Sequence, residues 1–372
     1  MGLRLKPGHS LDRLMNGAIW IGPSLHGLAT ELVDESGVLW SICARLDGTR
    51  SRELLVQEVL GSEPARAADC GVDDVTEMVD FLIGSGWLLD PDAPVPPELS
   101  PHEVTRYRRN AEFFSSIDLR PDMTGYRLQA RLKASRVVVL GLGGVGCAVA
   151  ASLAGCGVGW LHCVDHDVVE LSNLNRQLLY TERDLGRSKV AACVAELRSR
   201  NTAITITGSD VLLDGPDAIT AAITGSDAFL LCADMPLGDI RHWANDAAYM
   251  CGVPMLMAGY AGPKYSLGCF IPGQTGCYTC LWAGRMDAQQ AAGLISGDPG
   301  YHQFDDNPVI APTAQIAANF LAMETVKLLA GLPVQTAGRE LHRYVVDYDQ
   351  QYYLDATPRP DCRVACGAAI AR

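Results

Sequence analysis

A glycine-rich turn directly after an apolar strand constrains the fold of this chain more than any other feature. Residues 136–146 read RVVVLGLGGVG, and the β-branched run Arg136–Leu140 is typical of a buried parallel strand. The turn contains Gly141, Gly143, Gly144 and Gly146. Glycines let the backbone turn tightly and approach a ligand closely. The alanine-rich run Cys147–Ala154 predicts a helix whose N-terminus favours a phosphate. We therefore expect an α/β fold built on a Rossmann-like, doubly wound sheet.

A second predicted strand, Leu161–Val164, ends at an acidic residue. Asp165 follows it directly, and a carboxylate at this position can accept hydrogen bonds from ribose hydroxyls. The glycine turn alone is compatible with NAD, FAD or ATP, so the choice of nucleotide depends on the residues that follow.

Polar and cationic residues after the second strand favour ATP. Asn173, Arg176 and Gln177 follow the strand, and Lys189 begins the next predicted helix. A dinucleotide site binds its pyrophosphate largely through backbone amides. A triphosphate that releases pyrophosphate needs fixed positive charge where negative charge develops. The alternative that Arg176 and Lys189 are ordinary solvated charges stays open. Hydride transfer on NAD is disfavoured because no suitable catalytic His or Lys/Tyr arrangement stands out.

A third predicted strand also ends near an acid. Ala228–Cys232 is an apolar run typical of a central parallel strand, and Asp234 comes two residues later. Ligands of open α/β sheets bind at the carboxyl ends of strands, and Mg²⁺ usually takes one or two carboxylates there. Asp234 is thus a candidate magnesium ligand. The alternative is that it N-caps the next helix.

Taken together, these residues resemble the ThiF-like adenylyltransferases, which are related to ubiquitin-activating enzymes. The resemblance covers about residues 103–367. Six motifs carry it: RYRRN at 106–110, GLGGVG at 141–146, DHD at 165–167, SNLNRQ at 172–177, GRSK at 186–189 and CAD at 232–234. It implies that a carboxylate attacks ATP, giving an acyl-adenylate and pyrophosphate.

The resemblance also implies individual roles. Asp165 would hold the ribose, and Asn173, Arg176 and Lys189 would contact the phosphates. Asp234 would hold Mg²⁺. Arg109 would reach the triphosphate bound by the partner in a homodimer. The remaining residues assigned to the nucleotide site are the four glycines of the turn, Asp167 and Gln177.

Thirteen cysteines without a secretory signal argue for thiols or metal rather than a disulfide framework. Two pairs, Cys277 with Cys280 and Cys362 with Cys366, can supply four tetrahedral thiolates to a structural zinc ion. The resembling family has zinc here with two C-x-x-C pairs, whereas the second pair here has one extra residue. A buried or redox pair is the alternative. No cysteine lies between Cys280 and Cys362, which argues against a thioester relay there.

The N-terminal part of the sequence lacks the nucleotide-site motifs and predicts a separate domain. The run PDAPVPPELSP at 91–101 contains five prolines and predicts a linker, 91–102, between a domain at 1–90 and an adenylation domain at 103–372. Two strands, near 18–22 and 28–34, three helices and a short closing strand predict a winged-helix-like unit. It resembles PqqD-like recognition elements, on the runs LDGTRS at 46–51 and FLIGSGWLLD at 81–90. Such elements bind a leader peptide that adds a strand to a sheet edge.

Composition excludes other partners. A net charge of −13 and the lack of a basic cluster in the first ninety residues argue against nucleic acid. No signal segment begins the chain and the uncharged run 137–164 is explained by the strand–turn–helix–strand pattern, so we expect no membrane span and a cytoplasmic protein. Residues 284–308 predict a mobile loop, and 307–329 predict a long helix.

The sequence therefore predicts an ATP-dependent adenylyltransferase that activates a carboxyl or amide group of a ribosomally made precursor peptide. Cyclisation, amidation or dehydration would follow. One alternative is adenylation of the C-terminal glycine of a ubiquitin-like sulfur carrier. Another is a non-catalytic scaffold that binds a leader peptide, although a scaffold would not need the phosphate contacts.

Overall fold

The computed structural model describes residues 2–23, 29–89, 93–120, 123–293 and 307–367. The chain forms two compact units, 1–131 and 132–372. The boundary between them falls within a helix, Gly125–Ala134. The domain bounds predicted from the sequence, 1–90, 91–102 and 103–372, remain predictions.

The first unit combines short strands with a cluster of helices. Its strands are β1 (Arg4–Leu5), β2 (His9–Arg13), β3 (Ile19–Pro23), β4 (Thr30–Leu32) and β5 (Leu88–Leu89). Its helices are α1 (Val38–Cys43), α2 (Arg52–Leu60), α3 (Glu63–Ala67), α4 (Val72–Gly84), α5 (Pro101–Arg106), α6 (Arg108–Ile117) and α7 (Gly125–Ala134). Strands β2, β3 and β4 form an antiparallel sheet, and β1 pairs with β5. The β1 and β2 strands and α3 are additions to the predicted elements.

Helical periodicity places the core of this unit. Val38 and Ile42 on α1, and Val75 and Val79 on α4, are completely buried, as residues four apart on one helix face should be. On α2 the inward face is that of Leu55, Val56 and Val59, and Leu54 is exposed. The winged-helix-like assignment remains a prediction.

The second unit is an eight-stranded sheet covered by helices. Its strands are β6 (Arg136–Leu140), β7 (Trp160–Asp165), β8 (Thr205–Asp210), β9 (Ala228–Leu231), β10 (Met255–Ala261), β11 (Lys264–Phe270), β12 (Arg339–Tyr344) and β13 (Gln351–Asp355). Its helices are α8 (Gly146–Cys156), α9 (Lys189–Arg200), α10 (Pro216–Ile223), α11 (Asp239–Cys251), α12 (Tyr278–Ala291) and α13 (Ala311–Ala330). Short 3-10 turns lie at Leu171–Asn173 and Glu182–Asp184.

The strand order is β13-β12-β11-β10-β9-β6-β7-β8. Strands β8, β7, β6, β9 and β10 are parallel, and β11, β12 and β13 extend the sheet in antiparallel pairs. The chain winds from β6 outward to β8 and then crosses to β9 on the other side of β6. This reversal is the topological switch point where open α/β sheets bind ligands. The predicted Rossmann-like doubly wound sheet is confirmed.

The pairing register brings the carboxyl ends of the parallel strands to one edge. Leu140, Val164, Leu231 and Met257 pair in one row across β6, β7, β9 and β10. Because the strands run in the same direction, the residues just beyond this row meet at the same end of the sheet. The predicted polar residues after β7 and β9 are thereby brought towards the glycine turn after β6.

Two predictions on the C-terminal half need correction. Residues 284–291 were expected in a loop but form the end of α12, and residues 294–306 of that predicted loop lie outside the described residues. The long helix expected from residue 307 begins at Ala311, with Pro312 in its first turn, where a missing N–H costs nothing. Among the helices that the structure describes, none is both long enough and apolar enough to cross a membrane.

Candidate active site

A cavity of about 770 Å³ opens at the carboxyl ends of the parallel strands, a size typical of small-molecule sites. Ten residues singled out from the sequence line it: Gly141, Gly143, Gly144, Asp165, Asp167, Asn173, Arg176, Gln177, Lys189 and Asp234. They come from five separate stretches of the chain, and the strand register explains why they converge. The structure shows that these residues lie around one cavity. Their roles in binding remain predictions.

The glycines of the turn serve two different purposes. A Cβ on Gly141, where φ is +90°, would lie 2.5 Å from the backbone nitrogen of Ala233, and one on Gly146 would lie 1.7 Å from the carbonyl oxygen of Gly141. These two positions need glycine so that the turn can pack against its own backbone. A Cβ on Gly143 would meet only the Nε2 of Gln177, at 3.9 Å. Gly143 therefore faces space that a ligand can occupy.

Replacing Gly146 with alanine is expected to destabilise the protein by about 1–3 kcal/mol or more, since a methyl group would overlap backbone atoms that cannot move aside cheaply. Replacing Gly143 with alanine is expected to change the free energy of unfolding by less than about 0.5 kcal/mol. Denaturant unfolding of both variants measures the difference. Equal destabilisation by the two substitutions would contradict the division of the turn into packing and ligand-facing glycines.

Asp165 is fixed by backbone donors at the end of β7. Its Oδ2 accepts the N–H of Leu142 at 2.5 Å, and its Oδ1 accepts those of His166 and Asp167, each at 2.8 Å. The side chain is 7% exposed. Asp165 thus ties the glycine turn to the next strand while its carboxylate stays at the cavity wall. A carboxylate oxygen has more than one acceptor site, so this bonding leaves room for a ribose hydroxyl.

Lys189 is a buried cation at the first residue of α9. Its Nζ donates to Asp167 Oδ2 at 2.8 Å, and its backbone N–H donates to the carbonyl of Asp167 at 2.9 Å. The lysine side chain is 8% exposed, whereas that of Asp167 is 52% exposed. The ammonium group is therefore anchored, not freely solvated, which argues against the alternative that it is an ordinary surface charge.

Arg176 is oriented by three neighbours. Its Nη1 donates to the carbonyl of Ser172 and to Asn175 Oδ1, both at 2.9 Å, and its Nε donates to the hydroxyl of Tyr260 at 3.2 Å. Among the described residues, no carboxylate lies within ion-pair distance of this guanidinium. A preorganised positive charge without an acidic partner suits a site where negative charge develops.

Tyr260 accepts a hydrogen bond from Arg176 and also lies within range of the charge of Asp234. Burial raises the pKa of the Tyr260 hydroxyl, the neighbouring Arg176 lowers it, and the charge of Asp234 raises it, with a net increase. The hydroxyl therefore stays protonated at neutral pH and can act as a donor. Tyr260 lies at the carboxyl end of β10 and was missed by the sequence analysis, which followed the parallel strands only as far as β9.

Asp234 is exposed in the cavity, three residues beyond β9. The alternative that it caps the next helix is wrong, because α11 begins at Asp239 and its N-cap residue is Gly238. Within the part of the chain that the structure describes, its carboxylate has no hydrogen-bond or ion-pair partner. An available carboxylate in a cavity predicted to bind phosphates fits a magnesium ion.

Two buried side-chain amides, those of Asn173 and Gln177, also line the cavity. Asn173 Oδ1 accepts the N–H of Glu170 at 3.1 Å. Gln177 is 2% exposed, and its Oε1 has no partner within the described chain. A buried acceptor without a partner costs free energy, and Gln177 lines the cavity, so its Oε1 is placed to accept from a donor there. The side-chain amides of Asn173 and Gln177, the anchored cations Arg176 and Lys189, and the ligand-facing Gly143 line one cavity. Together they fit a nucleoside triphosphate.

Two further lining residues were also missed. Asn307 accepts the N–H of Gly262 at 3.2 Å and donates to the carbonyl of Tyr260 at 2.5 Å. Arg241 enters the cavity from α11. Neither residue belongs to a motif quoted from the sequence. Both reach the cavity through tertiary contacts between elements far apart in the chain.

The four predicted metal-binding cysteines form a separate cluster. The Sγ atoms of Cys277 and Cys362 are 3.6 Å apart, as are those of Cys280 and Cys366, and all four lie within 4.8 Å of one another. A Zn–S bond of about 2.3 Å places tetrahedral sulfurs about 3.8 Å apart, whereas a disulfide needs about 2.05 Å. The thiols are unpaired, so the cluster fits zinc and does not fit disulfides.

The extra residue in the second cysteine pair is absorbed by a local turn. Ala365 has φ +47°, in the left-handed region that non-glycine residues seldom occupy, and its N–H donates to the carbonyl of Cys362 at 2.9 Å. This turn lets both thiols face the other pair. A second candidate group, Asp165 with His166 and Asp167, fits a metal less well, because its two carboxylates already bind backbone N–H groups and Lys189.

Arg109 lies near the start of α6 in the first unit, and its side chain is exposed. Its assignment to a partner's nucleotide remains a prediction.

Comparison with known proteins adds independent information. The pattern of the ThiF family matches residues 115–364. The molybdopterin-synthase adenylyltransferase of Salmonella typhimurium is 33% identical over 276 residues, covering 73% of this chain and 99% of that protein. The Escherichia coli sulfur carrier protein ThiS adenylyltransferase is 31% identical over 246 residues, 65% of this chain and 90% of its own length.

Solved structures extend the similarity to the N-terminal part. Escherichia coli MccB, described as a microcin C7 biosynthetic enzyme, has a TM-score of 0.74 to this chain in its complex with AMPCPP and MccA. The match covers 98% of this chain and 99% of that one at 22% identity. At this identity the likeness establishes a shared fold.

Proposed function

Because the chain belongs to the ThiF family and is an adenylyltransferase, we propose that it transfers AMP from ATP to a carboxyl or amide group of a ribosomally made precursor peptide. The observation that carries this proposal is the length of the match. The fold of MccB covers 98% of the chain, whereas the molybdopterin-synthase adenylyltransferase covers 73%. The additional N-terminal residues have a counterpart in an enzyme of microcin biosynthesis.

The arrangement of residues in the cavity supports this proposed transfer. A substrate oxygen attacks the α-phosphorus of ATP, a new O–P bond forms, and the bond to the bridging oxygen of the β-phosphate breaks. Negative charge then leaves with pyrophosphate. Arg176 and Lys189 supply fixed positive charge for it, and Asn173 and Gln177 add polar contacts. Mg²⁺ bound by Asp234 would neutralise phosphate charge. The adenylated carbonyl would then react with an internal amide or another nucleophile.

The N-terminal unit would recognise the peptide. Within the described residues, β4 of its small sheet pairs on one side only, and a leader segment could add a strand to such an edge. We also propose that the enzyme works in the cytoplasm as a homodimer in which Arg109 reaches the partner's triphosphate. These assignments rest on the resemblance to PqqD-like elements and to the ThiF-like enzymes.

The second candidate is adenylation of a sulfur carrier at its C-terminal glycine. The relative that favours it is the ThiS adenylyltransferase, at 31% identity. The same cavity would serve both reactions because the transferred group and the leaving group are identical. The choice between them depends on which acyl substrate the rest of the chain admits.

ATP–pyrophosphate exchange distinguishes these functions. The purified full chain would be assayed with short peptides encoded beside its gene and, separately, with a sulfur carrier ending in Gly-Gly. The proposal predicts exchange with a neighbouring peptide only. Exchange with the carrier only would overturn it in favour of the second candidate. Tight ATP binding without exchange would favour a peptide-binding scaffold. The Arg176→Ala variant supplies the background rate.

A further inference from the structure

Tyr260 lines the cavity from a position beyond the parallel part of the sheet. Strand β10 pairs with β9 as far as Met257, and Tyr260 lies three residues further along, opposite Tyr265 of β11. The residue is half-buried. Its side chain reaches Arg176, whose Nε donates to the hydroxyl oxygen at 3.2 Å. A tyrosine hydroxyl is therefore fixed beside one of the predicted phosphate-binding cations.

The backbone that carries Tyr260 is held by Asn307. The Nδ2 of Asn307 donates to the carbonyl of Tyr260 at 2.5 Å, and its Oδ1 accepts the N–H of Gly262 at 3.2 Å. Gly262, where φ is +56°, belongs to the short turn between β10 and β11. Asn307 thus contacts both the end of β10 and the turn that follows it. A donor on a fixed backbone needs little reorganisation when a ligand binds.

The hydrogen bonds of Arg176 leave part of its guanidinium available. An arginine has five N–H donors. Its Nη1 donates to the carbonyl of Ser172 and to Asn175 Oδ1, and its Nε donates to Tyr260. The two N–H groups of Nη2 have no partner among the residues that the structure describes. Arg176 is therefore oriented by three donors and keeps two for a ligand.

The Tyr260 hydroxyl has a proton to donate. A tyrosine hydroxyl can accept and donate at the same time, and Tyr260 accepts from Arg176. Within the described residues, its own O–H has no acceptor. A hydroxyl that accepts from a cation is polarised and becomes a stronger donor. Burial keeps the pKa of Tyr260 above its usual value despite the nearby charge of Arg176, so the proton is present at neutral pH.

The glycine turn lies next to this hydroxyl. A Cβ on Gly144 would lie 3.1 Å from the hydroxyl oxygen of Tyr260 and 3.4 Å from Cγ of Arg176. The turn leads into the N-terminus of α8, whose free N–H groups and dipole favour a phosphate. Tyr260 and Arg176 therefore lie beside the part of the cavity where the sequence predicts phosphates.

We propose that the Tyr260 hydroxyl donates a hydrogen bond to an oxygen of the pyrophosphate that leaves ATP, beside the contact made by Arg176. Negative charge grows on pyrophosphate as its bond to the α-phosphorus breaks, so this hydrogen bond strengthens in the transition state. Arg176 then acts twice, through its remaining N–H groups and by polarising the hydroxyl. The inference rests on the proposed function, in which Arg176 serves the leaving pyrophosphate, and it holds for either acyl substrate.

Tyr260→Phe tests the inference because it keeps the ring and removes the hydroxyl. The full chain would be titrated calorimetrically with ATP in the presence of Mg²⁺ and with AMP, which lacks the leaving group. The affinity for ATP should fall about tenfold to a hundredfold, the range for a hydrogen bond to a charged group. The affinity for AMP should stay within about threefold of wild type. Equal loss of both affinities, or no loss of either, would overturn the inference.

Tyr249→Phe is the matched control. The hydroxyl of Tyr249 also makes one hydrogen bond, to the carbonyl of Thr275 at 3.0 Å, but Tyr249 is not among the described residues that line the cavity. Its loss should alter neither affinity by more than about threefold. A fall in ATP affinity equal to that of Tyr260→Phe would show a general effect of removing a hydroxyl and would contradict the assignment.

A double variant separates a contact with the phosphate from an effect through Arg176. In an Arg176→Ala background, Tyr260→Phe should still weaken ATP binding, by a smaller factor than in the wild type because the hydroxyl is no longer polarised. No further loss in that background would show that the hydroxyl only orients Arg176, and would overturn the proposed contact. If Arg176→Ala alone changed neither ATP affinity nor pyrophosphate exchange, the proposed function would fail instead.

Discussion

Replacing Arg176 with alanine is expected to lower turnover by ~10²–10³, the effect of removing one electrostatic donor from a transition state. The guanidinium is held by Ser172, Asn175 and Tyr260, so it need not reorganise as pyrophosphate leaves. Since no acid pairs with it in the described chain, its charge is available to the substrate. The measurement is the rate of pyrophosphate exchange at saturating ATP, compared with wild type.

A matched control lies close by in the chain. Arg187 is also an arginine on the segment after β7, but it is half-exposed and pairs with Asp184 at 2.5 Å, and it does not line the cavity. Arg187→Ala should leave turnover within about threefold of wild type, because exposed pairs contribute little. A loss smaller than tenfold in Arg176→Ala, or an equal loss in Arg187→Ala, would rule out the assigned role.

Much of the candidate site could be predicted because its residues follow short-range patterns. The strand before Gly141, the acid that ends β7 and the lysine that begins α9 are each fixed by neighbours in sequence. The register of β6, β7 and β9 then brings them together without further information. Local chemistry and the rule that ligands bind at carboxyl ends of parallel strands were sufficient for this half of the cavity.

The other residues of the cavity are brought there by tertiary contacts that no local sequence pattern predicts. Tyr260 reaches Arg176 from β10, 84 positions away in the chain, and Arg241 enters the cavity from α11. The tolerance of the cysteine cluster for an extra residue likewise depends on the left-handed conformation of Ala365, which the sequence does not signal.

Replacing Cys280 with serine is expected to abolish zinc binding and to destabilise the protein by about 3 kcal/mol or more, as for the loss of a structural metal. The cluster joins the start of α12 to residues 362–366 near the C-terminus. Among the described residues, the ion pairs that link residues 359–366 to the helices are Arg359 with Asp287 and Arg363 with Asp246. Ion pairs near the surface contribute about 0–1 kcal/mol each, which is less than the contribution expected of a structural metal.

Zinc content and thermal unfolding measure this prediction together. Wild-type protein should contain about one zinc ion per chain, and Cys280→Ser should lose it with a fall in Tm of roughly 10 °C. Cys269→Ser is the matched control, because Cys269 is equally buried but lies outside the cluster, and it should retain the metal. If wild-type protein is free of zinc and the two variants unfold alike, the four thiols are simply packed side chains. If zinc is lost while pyrophosphate exchange survives at low temperature, the metal supports the fold and takes no part in the chemistry.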